Sequence, residues 1–213
     1  MVLKEACIEN ITGLAEVIVA GANRVELCDN LAEGGTSVSY GVAKYVVAFC
    51  SDKKVDVMAM VRPRKGDFIY SKAEIAIMCG DILMYKKLGV NGVVFGCVTI
   101  DGKLDKLAIK ELMQAANGID VTFHMAFDEL ADSEKLAAID WLAEQRIKRI
   151  LTHGGDGKLL PEETFLTWRK YIDYAGDRLI VLPGGGIKSH NYEWIVKETG
   201  AVEIHGTNLF GDS

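Results

Sequence analysis

Apolar residues recur along the chain in two alternating rhythms. Short runs rich in Val, Ile and Phe occupy residues 3–8, 24–28, 56–62, 92–98, 120–127, 148–153, 178–183 and 201–206. Between them apolar positions fall three or four apart, as with Ile75, Met78, Ile82 and Tyr85 inside 71–89, or Leu136, Ile139 and Leu142, with Trp141 beside them, inside 132–145. The first rhythm predicts strands and the second helices, so a strand–helix unit repeats along the whole length. Eight strands spaced about 25 to 30 residues apart predict an α/β fold of the (β/α)8 TIM-barrel type, not an open doubly wound sheet of five or six strands. No linker or low-complexity tract divides the chain, so residues 1–213 are expected to form one domain. Only TNLFGDS follows the eighth strand, which predicts an incomplete final helix. Val202 and Ile204 are then expected on an uncovered outer face, to be closed by a homo-oligomer neighbour or a rearranged N-terminal helix.

Composition narrows the class of partner. With 49% hydrophobic residues the chain can bury a sizeable core, and a net charge of −6 with no Lys/Arg cluster argues against nucleic acid. No apolar stretch reaches the roughly 18 residues of a membrane span, and the N-terminus lacks a signal-peptide pattern, so a cytoplasmic location is expected. The five cysteines, at 7, 28, 50, 79 and 97, make no CxxC pair and read as reduced thiols.

Parity along the strands points to candidate chemistry. Side chains two residues apart share a face, and several strands carry polar groups at that spacing: Glu5, Cys7 and Glu9; Arg24, Glu26 and Cys28; Arg62 and Arg64; Thr122 and His124, with Asp128 beyond; and Glu203, His205 and Thr207. Barrel interiors are usually apolar, and charges there need partners. Glu5, Arg24, Glu26 and Glu203 can be read equally as a satisfied ion-pair layer or as part of a site. Arg62, Cys28, His124 and His205, at the strand tops, favour a site. The run PGGGIKSHN after the seventh strand could cradle an anion on the backbone N–H groups of Gly184, Gly185 and Gly186, with Arg62 or Arg64 completing the charge. A tight turn needing positive φ is the plainer alternative.

The stretches RVELCDNLAEGGTSVSYG, MVRPRKGDFIYSKAEI, GVNGVVFGCVTIDGKLD, VTFHMAFDE, RILTHGG and LPGGGI together resemble the CutC copper-homeostasis family. The resemblance spans nearly the whole chain. It implies a cytoplasmic (β/α)8 barrel, often oligomeric, with a link to copper and no assigned reaction. Glu26, Cys28, Glu33, Arg62, Arg64, Asp67, Tyr70, His124, Asp128, Gly184 to Gly186 and His205 stand where the family's motifs put them. Met58, Met125 and His153 depart from it, where histidine, arginine and serine are usual.

Cu(I) prefers thiolate and thioether, so Cys28 is the leading copper ligand; Cys7 on the adjacent strand is the second, with Met58, Met60 or His205 as a third. Cys50 would suit a more peripheral metal position, while Cys79 and Cys97 read as packing. The alternative is an enzyme on a small phosphorylated or carboxylated metabolite, with Glu26, Arg62, His124 and His205 as catalytic groups and Arg64 and Gly184 to Gly186 holding the anion. No nucleophile elbow, metalloprotease helix or Rossmann fingerprint is present. A structural oligomer with a merely satisfied interior is the third reading. The first, Cu(I) binding, is the expectation carried forward.

Overall fold

A computed structural model of the chain describes residues 2–211. The predicted strands are all present: β1 (Leu3–Glu9), β2 (Arg24–Cys28), β3 (Asp56–Met60), β4 (Gly92–Phe95), β5 (Asp120–Phe123), β6 (Arg149–Thr152), β7 (Ile180–Pro183) and β8 (Glu203–Gly206). Seven helices alternate with them: α1 (Leu14–Val19), α2 (Tyr40–Ser51), α3 (Lys72–Leu88), α4 (Lys106–Ala116), α5 (Asp132–Glu144), α6 (Pro161–Ala175) and α7 (Tyr192–Thr199). Helix α3 matches its expected span because both ends are specified locally. Ser71 and Glu74 form a reciprocal capping box, and Gly89 ends the helix at φ 91°. Strand β5 stops four residues early. The His124 imidazole accepts a hydrogen bond from the Ala126 N–H and turns Met125–Phe127 into a 3-10 turn.

All strands are parallel, and the hydrogen-bonded order runs β7-β6-β5-β4-β3-β2-β1-β8, so β7 and β8 are the two ends of a nearly closed barrel. The apolar core is the shell between strands and helices. Val25, Leu27, Val57, Val93, Phe95, Val121, Phe123 and Ile150 meet Val46, Met78, Ile82, Tyr85, Ile109, Leu112, Ile139 and Leu142, all buried. The opposite parity faces inward and carries the polar residues. Register sets them side by side, with Glu5 opposite Arg24 and His205, and Cys7 opposite Glu26.

The seam between β7 and β8 corrects one expectation. Ile204 is fully buried within the chain, in a cluster with Trp168, Ile187, Ile195, Ala201 and Leu209, against which Phe210 packs. Lys4 lies 5.5 Å from the Tyr192 ring centroid and 5.1 Å from that of Phe210, tying the end of the chain across β1. Among the described residues after β8, Leu209 and Phe210 therefore do the covering without forming a helix. Val202 alone remains 61% exposed.

Candidate functional site

A buried chain of ion pairs rises through the barrel. Asp120 meets Arg149 at 3.3 Å, the Arg149 Nε donates to Glu203 at 2.7 Å, and Glu203 accepts from Arg24 Nη2 at 2.5 Å. Arg24 also donates to Glu5, whose other carboxylate oxygen lies 2.7 Å from His205 Nδ1. Each charge in this chain thus has an opposite neighbour, as burial demands. Burial pushes the Glu5 carboxyl up, but the Arg24 guanidinium and His205 outweigh it and hold it at about 2. Arg149 was not among the sequence candidates. Its signal was available, since Arg149, Leu151 and His153 share one parity.

Above this chain lies a sulfur-rich patch. Cys7, Cys28, Met58 and Met60 form one buried cluster with Val94 in the barrel interior. Gly35, at φ 85°, passes directly over it: a Cβ there would stand 3.2 Å from Cys28 Sγ and 3.6 Å from the Met60 methyl. The Cys28 thiol is 3.6 Å from Glu26 Oε2, and the Cys7 sulfur, a Glu26 carboxylate oxygen and a His205 ring nitrogen all lie within 4.8 Å of one another. A hydrogen bond from Cys28 lowers Cys7 to about 5, with His205 helping against burial. The same bond, with burial, drives Cys28 well up, and burial raises Glu26. Burial opposes a charged His205, but Glu26, Cys7 and Glu5 together raise it. Cys50 is elsewhere. It belongs to α2 and is packed in the shell outside the strands, so the structure does not bring it to this patch.

The cavity at the C-terminal mouth has a volume of about 420 Å³, and Cys7, Glu26, Cys28, His124, His153 and His205 all line it. The His124 Nδ1 is occupied by Ala126, which leaves the proton on Nε2, a buried donor with no partner among the described residues. Burial and the nearby Arg62 charge lower the ring to about 3. Asp128 accepts from the Thr152 hydroxyl at 2.5 Å and from the His153 N–H at 2.8 Å, and burial lifts it to about 6.

Neither arginine stands on the cavity wall with the glycines. Arg62 spends its guanidinium on main-chain carbonyls, donating to Glu33 at 2.9 Å, Gly35 at 3.0 Å and Gly66 at 2.7 Å, so it clamps the loop over Cys28. Arg64 turns outward to Glu74, to Asp67 at 3.0 Å and to the Ile69 carbonyl at 2.7 Å. It is absent from the cavity wall, so the expected pairing of Arg64 with the glycine run does not form. Side chains crowd all three glycines. A Cβ on Gly184 would lie 2.6 Å from Leu151, on Gly185 1.9 Å from His153 Nδ1, and on Gly186 3.0 Å from Pro161. The Gly184 N–H is already donated to the Thr152 carbonyl. Gly185 and Gly186 remain on the cavity wall, beside Lys188.

The profile of the CutC family matches residues 2–210. The family protein CutC of Enterococcus faecalis is 45% identical over 207 residues, covering 97% of this chain and 99% of that protein. The human copper homeostasis protein cutC homolog is 39% identical over 203 residues, 95% of this chain and 72% of the human one. A CutC crystal structure from Streptococcus agalactiae superposes with a TM-score of 0.95 at 40% identity, covering 98% of this chain and 100% of that one.

Proposed function

The chain belongs to the CutC family, and on that premise we propose that it serves copper homeostasis by binding Cu(I) on the Cys28 and Cys7 sulfurs, with the Met60 thioether completing the group. The observation that carries this reading is the buried cluster of two thiols and two thioethers inside the barrel. Those donors suit Cu(I), which is soft and takes two or three sulfur ligands. Copper here is cargo, and Cys50 is not part of the group.

Competition against a Cu(I) chelator under anaerobic conditions tests it. Cys28→Ser should weaken Cu(I) binding by at least about tenfold, since a hydroxyl is a poor soft-metal ligand, while Cys50→Ser and Cys79→Ser leave it unchanged. Equal affinity for wild type and Cys28→Ser sinks the assignment. A cytoplasmic setting belongs to the same reading, because the five cysteines are free thiols. So does a homo-oligomer, supported by the exposed Val202 beside the seam and checked by light scattering.

One observation favours a second reading, catalysis on a small phosphorylated or carboxylated metabolite. The cavity of about 420 Å³ is of ligand size and has Glu26, His124 and His205 on its wall. A panel of such anions that leaves the melting temperature unmoved would remove it.

A further inference from the structure

Glu26 and His205 face each other without bonding. His205 Nε2 and Glu26 Oε2 are 3.7 Å apart, beyond a hydrogen bond. Ligands about 2.0 to 2.3 Å from a tetrahedral zinc ion are separated by about 3.3 to 3.8 Å, so the gap lies within the range of one edge of such a site. Cys7 supplies the third atom, and all three lie within 4.8 Å of one another; Cys28 falls outside that mutual set. Glu26 Oε1 is buried and accepts no hydrogen bond among the described residues. His205 is held from behind. Its Nδ1 is 2.7 Å from Glu5, itself bonded to Arg24, which leaves Nε2 for the Glu26 side. A carboxylate behind an imidazole in this way is the usual support of a metal-binding histidine.

We propose that Cys7, Glu26 and His205 form a three-ligand site for a divalent zinc-like ion, distinct in chemistry from the Cu(I) group and sharing only Cys7 with it. One thiolate, one imidazole and one carboxylate make a borderline donor set, which suits Zn(II) better than Cu(I). All three residues line the mouth cavity, so the fourth coordination position faces space for a small ligand. Closed structural zinc sites use four protein ligands; three ligands and an open place are the pattern of sites that bind water or a substrate oxygen. The two metals compete for Cys7, so the chain holds one or the other at a time.

Metal-free, reduced protein titrated with Co(II) as a spectroscopic substitute for Zn(II) tests this, independently of any Cu(I) result. One equivalent should give four-coordinate visible bands and a charge-transfer band of single-thiolate intensity, both removed by Zn(II). Added azide should shift the visible bands by entering the fourth position. Cys7→Ser should abolish the charge-transfer band. Glu26→Gln and His205→Gln should each weaken Co(II) by more than the roughly 10- to 100-fold that losing a partner behind a ligand costs. Cys28→Ser should keep a charge-transfer band of single-thiolate intensity. The proposal fails if wild type gives no four-coordinate spectrum, if azide has no effect, or if the charge-transfer intensity is that of two thiolates and Cys28→Ser halves it. The wild-type sulfur count and azide response decide the matter even if a substituted protein does not fold.

Discussion

His124 is a neutral ring sealed in the interior, and its titration should be visible in stability. Its ordinary value near 6.5 falls to about 3 in the folded chain, so its contribution is complete above pH 6.5 and is lost as pH falls toward 3. Glu5 acts in the same direction lower down, from 4.5 toward 2. Asp128, raised to about 6, opposes both, losing its contribution as pH rises through that value. His124→Gln isolates the first effect. Melting curves should show wild type losing several kcal/mol more than the variant between pH 6.5 and pH 4, and parallel profiles would contradict the buried neutral ring. Gly185 makes a second expectation. Alanine there must adopt φ near 90° and would drive its methyl into His153. Gly185→Ala should cost about 2 to 4 kcal/mol, and adding His153→Ala should restore the part due to contact but not the roughly 1 to 2 kcal/mol due to the dihedral. Additive costs in chemical denaturation would show that the two residues do not meet. At this scale the site was largely legible, because period-two parity alone puts Cys7, Glu26, Cys28, His124 and His205 inside. The arginines were not. A guanidinium on a long stem reaches acceptors on either side, and parity fixes only where Arg62 and Arg64 begin.

Two of the loops at the barrel mouth are joined by one side chain. The guanidinium of Arg62 joins the β2–α2 loop, at Glu33 and Gly35, to the β3–α3 loop at Gly66, and its own N–H donates to Ser37. Lysine keeps the charge but cannot span three carbonyls with a planar fork. Arg62→Lys should therefore destabilise by about 2 to 4 kcal/mol, with amide exchange at Gly34 and Gly35 accelerating more than at Val57 and Ala59. A uniform acceleration across loops and strands would mean that Arg62 supports the whole barrel and not this lid. The elements themselves were readable from sequence because the apolar rhythm switches cleanly eight times. The ends of some were not. Strand β5 looked longer because Met125, Ala126 and Phe127 are apolar, and nothing in that run announces that the His124 ring will bond Ala126 and break the ladder. The last element misled for a similar reason. The count of residues after β8 predicted an incomplete helix, and did not show that Leu209 and Phe210 would fold back onto Trp168 and Lys4.

For the molecule as a whole, the pairing of first and last strands is reinforced by side chains from both ends of the sequence. The bond from Arg24 to Glu203 joins residues 179 apart, and that between Glu5 and His205 residues 200 apart. Contacts of such separation bear the full entropy of closing the intervening loop and return nothing until most of the barrel is assembled. They should be absent from the transition state for folding. Glu203→Gln leaves Arg24 and Arg149 short of a buried counter-charge and should cost about 3 to 5 kcal/mol. In stopped-flow chevrons that cost should fall almost wholly on the unfolding limb, leaving the refolding rate nearly unchanged. A slowed refolding limb would place the ion chain in the folding nucleus. The buried charges then act as a latch engaged after assembly: they govern how long a barrel stays shut once formed, and leave the speed of its assembly to the apolar shell outside.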